Sequence, residues 1–255
     1  MCLSSAGPRC HEGYSAGRRA IITLMTTGQA RTDWLRERRA AVEAQYDDEA
    51  PDYSDDFYPT TSHGAFVERL LATCPPGGAV LDAPCGTGRY FALVRAAGRR
   101  VVGIDQSAGM LAQAQGRGIA IRLEHVGLQE LAFDHEFDAS MTIDAMENIP
   151  PEDWPAVLAN LHRAVRPGGH LYLTVEESND ADLDEAENLA RARGWPAVRG
   201  EMVEGDTAGY HHYPGRDRVL GWLEAEGLEV VDEQYDEEDG WGYRHFLVRG
   251  RQSGP

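Results

Sequence analysis

A chain of 255 residues fits one α/β domain with decorations rather than two full domains, and 42% hydrophobic residues supply a core. With 42 acidic against 24 basic residues the formal net charge is -18, so the surface repels phosphate backbones and anionic headgroups. Nucleic acid and membrane are therefore not expected as partners, whereas a cationic ligand suits such a surface.

No apolar run reaches the ~20 residues of a membrane span. The four cysteines, Cys2, Cys10, Cys74 and Cys85, form no CxxC pair. That usage points to a reducing, cytoplasmic setting, with neither a disulfide framework nor a metal site.

In chain order, residues 1–28 are rich in Gly, Ser, Ala and Arg without periodicity and read as a disordered leader, with Met25 a candidate first residue. Residues 29–75 read as a helical cap on the domain that fills 29–255. Its first helix spans 29–47, capped by Thr32, with a loose apolar stripe of Trp34, Leu35, Val42 and Tyr46. An acidic stretch follows, with Tyr53, Phe57 and Tyr58 expected to pack on something. Ser62 reads as the cap of a helix to about Ala72.

From Ala79 the pattern alternates strand and helix. Strands are predicted at 79–83, 101–104, 119–125, 137–143 and 171–175. Helices are predicted at 90–97, 108–115 and 151–165, with a turn at Pro167-Gly168-Gly169. Strands separated by helices of this length imply a parallel sheet with crossover helices on both faces. Residues 176–215 read as an insert on the substrate side, an acidic helix over 180–193 followed by a polar loop through 200–215. A helix at 216–226 and two strands at 229–235 and 244–249 close the chain as an antiparallel edge pair.

The strongest motif is Val80-Leu81-Asp82-Ala83-Pro84-Cys85-Gly86-Thr87-Gly88, a strand running into an acid and then a glycine turn that lets backbone approach a ligand. A second strand ends in Asp105, 17 residues beyond Gly88, where a carboxylate can accept both hydroxyls of a ribose. The turn and the spaced acid inside one βαβ unit are far more specific than the turn alone.

On these residues the chain resembles the class I S-adenosylmethionine-dependent methyltransferase family. Phe137-Asp138-Ala139-Ser140-Met141-Thr142-Ile143-Asp144-Ala145-Met146-Glu147-Asn148-Ile149 resembles its fourth-strand motif, and Arg166-Pro167-Gly168-Gly169-His170-Leu171 the turn before its fifth. The resemblance covers roughly 40–250. It implies a Rossmann-like, doubly wound, seven-stranded α/β sheet, mostly parallel with an antiparallel C-terminal strand, and S-adenosyl-L-methionine as cofactor. Carried across, Asp82, Ala83, Pro84, Gly86 and Gly88 surround the methionine portion and Asp105 holds the ribose. Gln106 and Met110 lie against the adenine, and Ile143 comes from the fourth-strand block. Tyr53 or Tyr58 folds over the methionine end. Pro84 stands where glycine is frequent, and Leu128 follows Gly127 where many members carry an acid, so adenine contact there runs through backbone.

Asp144, Glu147, Glu176 and Glu177 follow the carboxyl ends of predicted strands, where ligands bind in open α/β sheets. Asp144, Glu147, Glu176 and His212, one of the pair His211-His212, are the catalytic candidates; Cys85 reads as structural. The expected activity is methyl transfer to a nitrogen or oxygen of a small molecule. Two alternatives stay open: a non-methylating reaction releasing methylthioadenosine, and a non-catalytic cofactor-binding regulator.

Overall fold

The computed structural model describes residues 13–53, 61–203, 209–238 and 241–251. Its centre is a seven-stranded sheet. The strands are β1 (Ala79–Asp82), β2 (Arg100–Asp105), β3 (Arg122–His125), β4 (Phe137–Thr142), β5 (Val165–Glu177), β8 (Leu228–Glu238) and β9 (Trp241–Gly250). Their order is β3-β2-β1-β4-β5-β9-β8. The first five pair parallel, and β9 runs antiparallel to both β5 and β8. The chain thus carries the seven-stranded, mostly parallel sheet that its alternating pattern predicts. The closing pair is antiparallel as read, but only β8 is an edge; β9 fills the slot between β5 and β8. The edge strand carries Asp232, Glu233, Asp236 and Glu237, charges that discourage pairing with another chain.

Both faces of the sheet are covered, so its inner strands are apolar on alternate residues in both directions. Leu81, Val102, Ile104, Leu171, Leu173 and Phe246 pack on one side with Val157, Leu158 and Leu161 of α5 (Trp154–Ala164) and Val219 and Leu223 of α7 (Arg216–Ala225). Val80, Val101, Met141, Tyr172 and Leu247 pack on the other side. There they meet Phe66 and Leu70 of α2 (Thr61–Thr73), Phe91 and Val94 of α3 (Phe91–Ala96) and Ala114 of α4 (Ala108–Gly116).

Three local expectations are corrected. The first helix, α1, runs Gly13–Glu49, so residues 13–28 of the expected leader are helical. No proline interrupts that span before Pro51, and Ala, Arg, Leu and Met favour helix. Thr32 is then interior rather than a cap, its hydroxyl donating to the Gly28 carbonyl one turn back at 3.0 Å. Ser62 likewise falls inside the first turn of α2 rather than before it.

The loop expected over 200–215 holds a two-stranded antiparallel ribbon, β6 (Glu201–Val203) and β7 (Tyr210–His212). Three-residue strands fall below what alternation can reveal. Pro167-Gly168-Gly169 lies within the long β5, where the register against β4 shifts between Phe137 and Ala139. The helix read at 180–193 forms as α6 (Asp180–Arg193). Asn179 caps its start by accepting from Asp182 N at 3.0 Å, and Gly194 ends it in the left-handed region at φ 68°. Among the described residues no helix is long and apolar enough to cross a membrane.

Candidate active site

The strand order reverses between β1 and β4, and the carboxyl ends of β1, β2 and β4 open there onto one cleft. The cleft encloses about 1000 Å³ of space open to solvent on one side.

The turn after β1 is built for close approach. Gly86 and Gly88 have φ of 51° and 79°, and a Cβ on Gly88 would lie 2.5 Å from the Phe91 ring. Cys85 N donates to the Ile104 carbonyl at 2.7 Å, lashing the turn to β2. The close packing also requires Gly103, whose Cβ would meet Cys85 Sγ at 2.8 Å. Burial pushes the Cys85 thiol far up, so it is a packing group and not a thiolate nucleophile.

Two carboxylates face the turn. Asp105 Oδ2 accepts from Gly86 N and Oδ1 from Ser107 N, each at 2.9 Å. Burial pushes its carboxyl up, and the N–H groups of Ser107 and Gly86 oppose that shift. Asp82 is more deeply buried, and burial together with Asp105 pushes its carboxyl well above the usual range. Its Oδ2 has no hydrogen-bond partner in the protein. A buried acceptor left open on a cleft suits a ligand that brings a donor. Two acids and a glycine turn therefore fit a ligand with ribose hydroxyls and an amino group.

Of the residues the sequence singled out, Tyr53, Asp82, Pro84, Gly86, Asp105, Gln106, Met110, Gly127, Leu128, Ile143 and Asp144 line the cleft. Ala83 is fully buried beneath the turn, and Gly88 shapes the turn without lining the cleft. Tyr58 lies outside the described residues.

Three catalytic candidates lie off the cleft wall. Glu147 and Glu176 are buried. Burial, then the charges of Glu176 and Asp144, push the Glu147 carboxyl well up. His212 is fully buried near Trp154 and Trp222, its Nδ1 3.1 Å from the Ile149 carbonyl.

Burial holds the His212 imidazole down to about 4. The unfolded chain takes up this proton near the ordinary ~6.5, so the stability present above that pH is lost as pH falls toward the folded value, about 3 kcal/mol over the window. In urea melts at about pH 7.5 and about pH 4.5, His212→Leu is expected to lose roughly 2–3 kcal/mol less than wild type on acidification. An unchanged acid loss would show that His212 is not a proton-excluding group.

Sequence reading missed the roof. Arg39, Val42 and Tyr46 of α1 line the cleft, as do Arg89, Tyr90, Gln129 and Ile149. The stripe containing Val42 and Tyr46 was legible, but not its target. Hydrogen bonds fasten α1 along its length. Arg31 donates to both oxygens of Glu201 at 2.6 Å, Arg39 Nη1 donates to Glu130 at 2.6 Å, and Asp47 accepts from Ser107 Oγ at 2.6 Å and Gly109 N at 2.8 Å. The last contact ties the roof to the start of α4, whose Met110 also lines the cleft.

Opposite the turn stands Asp144, a non-glycine residue at φ 49°. Its backbone N–H donates to Thr174 Oγ1 at 2.8 Å, and its Oδ1 lies 3.0 Å from His63 Nε2. Arg89 Nη1 is 3.9 Å from Oδ2. Burial, then the Asp144 charge, push the neighbouring Tyr90 phenol up, so it stays neutral.

Comparison with known proteins bears on this cleft. Residues 80–169 match the family model of a methyltransferase domain. Methyltransferase-like protein 27 of Homo sapiens is 34% identical over 180 residues, 60% of this chain and 70% of that protein. The malonyl-[acyl-carrier protein] O-methyltransferase of Serratia marcescens is 35% identical over 142 residues, covering 52% of this chain and 50% of that one. The chain spans about half the length of the first curated relatives it matches. Among solved structures, the 1,6-didemethyltoxoflavin-N1-methyltransferase of Burkholderia thailandensis, with bound 1,6-didemethyltoxoflavin and S-adenosylhomocysteine, superposes with a TM-score of 0.59 at 19% identity. That match covers 97% of this chain and 94% of that one and shows the shared fold.

Proposed function

The chain belongs to the class I S-adenosylmethionine-dependent methyltransferase family, and from that premise we propose that it methylates a nitrogen or oxygen atom of a small molecule. The observation that carries this reading is the convergence of Asp82, Asp105 and Asp144 with a glycine turn on one roofed cleft. When bound, the cofactor supplies a methyl group on a cationic sulfur, a good leaving group, so catalysis rests on alignment and exclusion of water.

The residues divide that work. Asp105 holds the ribose hydroxyls, and Asp82 takes the amino group of the methionine portion. Gln106 and Met110 bound the adenine, with backbone at Gly127 and Leu128 completing its slot. Val42, Tyr46 and Tyr53 keep water out from above. Asp144 receives the proton of an amine or hydroxyl acceptor, and Asp82, Asp105 and Asp144 on the cleft favour a ligand carrying positive charge. The net charge of -18 favours a small acceptor over nucleic acid.

The test is turnover. The chain is incubated with S-adenosylmethionine and a panel of small amines, phenols and carboxylic acids, and products are read by mass spectrometry. S-adenosylhomocysteine together with a methylated acceptor is the expected result. Methylthioadenosine would replace methyl transfer by an aminobutyl or cyclising reaction. Tight cofactor binding without turnover across the panel would leave a non-catalytic binder.

A further inference from the structure

His63 sits 81 residues upstream of Asp144 and comes to it from the first turns of α2, across the sheet face. Its side chain is 2% exposed, and Nε2 lies 3.0 Å from Asp144 Oδ1. The ring is held edge-on by Tyr243, at 5.0 Å, and by His245, at 4.9 Å between ring centres. Nδ1 is buried with no hydrogen-bond partner. A doubly protonated ring would bury an unpaired, charged N–H at that nitrogen, which is costly. The neutral tautomer with its proton on Nε2 leaves only a lone pair unpaired and donates to Asp144.

Asp144 itself is held from several sides. A non-glycine residue in the left-handed region is strained and persists where its surroundings hold it there. Here the Thr174 hydroxyl accepts from its backbone N–H and donates toward Oδ1 at 3.5 Å, while His63 engages the same oxygen. The other oxygen, Oδ2, is 3.9 Å from Arg89 Nη1, and Asp144 and Arg89 both line the cleft.

We infer that His63 is a positioning residue for methyl transfer: its Nε2–H fixes Oδ1 of Asp144 so that Oδ2 meets the acceptor's N–H or O–H. This rests on the methyltransferase reading above. In the step, the acceptor's lone pair forms the new bond to the methyl carbon and the sulfur–carbon bond breaks with its electrons on sulfur. The acceptor's proton passes to Asp144 Oδ2 and then to solvent at the open side of the cleft, while His63 keeps its own proton throughout.

Three measurements test it. With an acceptor from the panel, His63→Ala is expected to lower kcat by about 10²-fold, the scale of a misplaced catalytic group, with KM for S-adenosylmethionine within about twofold of wild type. His63→Gln, which keeps an N–H near the place of Nε2, is expected to recover kcat to within about tenfold of wild type. In ¹⁵N spectra of the full chain, the His63 imidazole is expected as the Nε2–H tautomer.

An alanine variant that binds S-adenosylhomocysteine normally and turns over at the wild-type rate would overturn the inference. A glutamine variant as slow as alanine would do the same. Should wild type bind cofactor yet methylate nothing in the panel, the functional reading fails and the spectra decide the contact alone. An Nδ1–H tautomer then overturns it, and an Nε2–H tautomer sustains it.

Discussion

Arg31→Ala is expected to cost about 3–5 kcal/mol of unfolding stability, because it leaves a carboxylate buried without its cation. The Glu201 side chain is 0% exposed and accepts from both Arg31 Nη groups and from the Tyr210 hydroxyl at 2.6 Å, and from Val198 N at 2.7 Å. Glu201 and Glu152 together hold the Arg31 guanidinium above its ordinary range against the opposing effect of burial. The Glu152 contact is half-exposed and adds little.

The bridge joins α1 to the β6–β7 ribbon, with Trp34 packed edge-on against Tyr210 at 5.9 Å. Urea melts followed by tryptophan fluorescence read the loss. Pairing Arg31→Met with Glu201→Leu, which removes both charges, is expected to restore only part of it, because the Tyr210 hydroxyl and Val198 N lose their acceptor. A single-variant loss below about 1 kcal/mol, the worth of an exposed pair, would show that α1 is not locked to the ribbon.

Asp105→Ala is expected to weaken S-adenosylhomocysteine binding by about 10²–10⁴-fold. Two hydrogen bonds from ribose hydroxyls to a charged acceptor are worth about 1.5–3 kcal/mol each, and every ~1.4 kcal/mol is tenfold. The same carboxylate anchors Gly86 N and Ser107 N, so its loss also slackens the turn that receives the methionine portion. Asp105→Asn keeps the shape and one acceptor oxygen, and an intermediate loss is expected in calorimetric titration. A loss under about fivefold for the alanine variant would remove Asp105 from the ribose site.

The parts of the cleft written contiguously were legible. Asp82, Gly86 and Asp105 lie within one βαβ unit, where residue spacing alone fixes which groups meet at the strand ends. Asp144 was found for the same reason, as the residue after Ile143 at the end of β4. Depth was harder. Glu147 and Glu176 follow the correct strand ends, but Glu176 shares a face with the buried Tyr172 and Thr174 by two-residue alternation, and Glu147 lies in a turn folded inward.

Contacts made across the chain were not legible. Arg39 and Tyr46 belong to a helix whose stripe shows that it packs, not what it packs on. His63 looks like any histidine near a helix start until the sheet carries Asp144 to it. Glu201 lies in a three-residue strand too short for periodicity, so neither its burial nor its bridge to Arg31 could be read beforehand.

The most direct test of the account is calorimetric titration of the wild-type chain with S-adenosylmethionine, S-adenosylhomocysteine and NAD. The glycine turn, the unpartnered Asp82 oxygen and Asp105 predict that both sulfur ligands bind one to a chain while NAD gives no heat. Binding of NAD, with neither sulfur ligand bound, would contradict it.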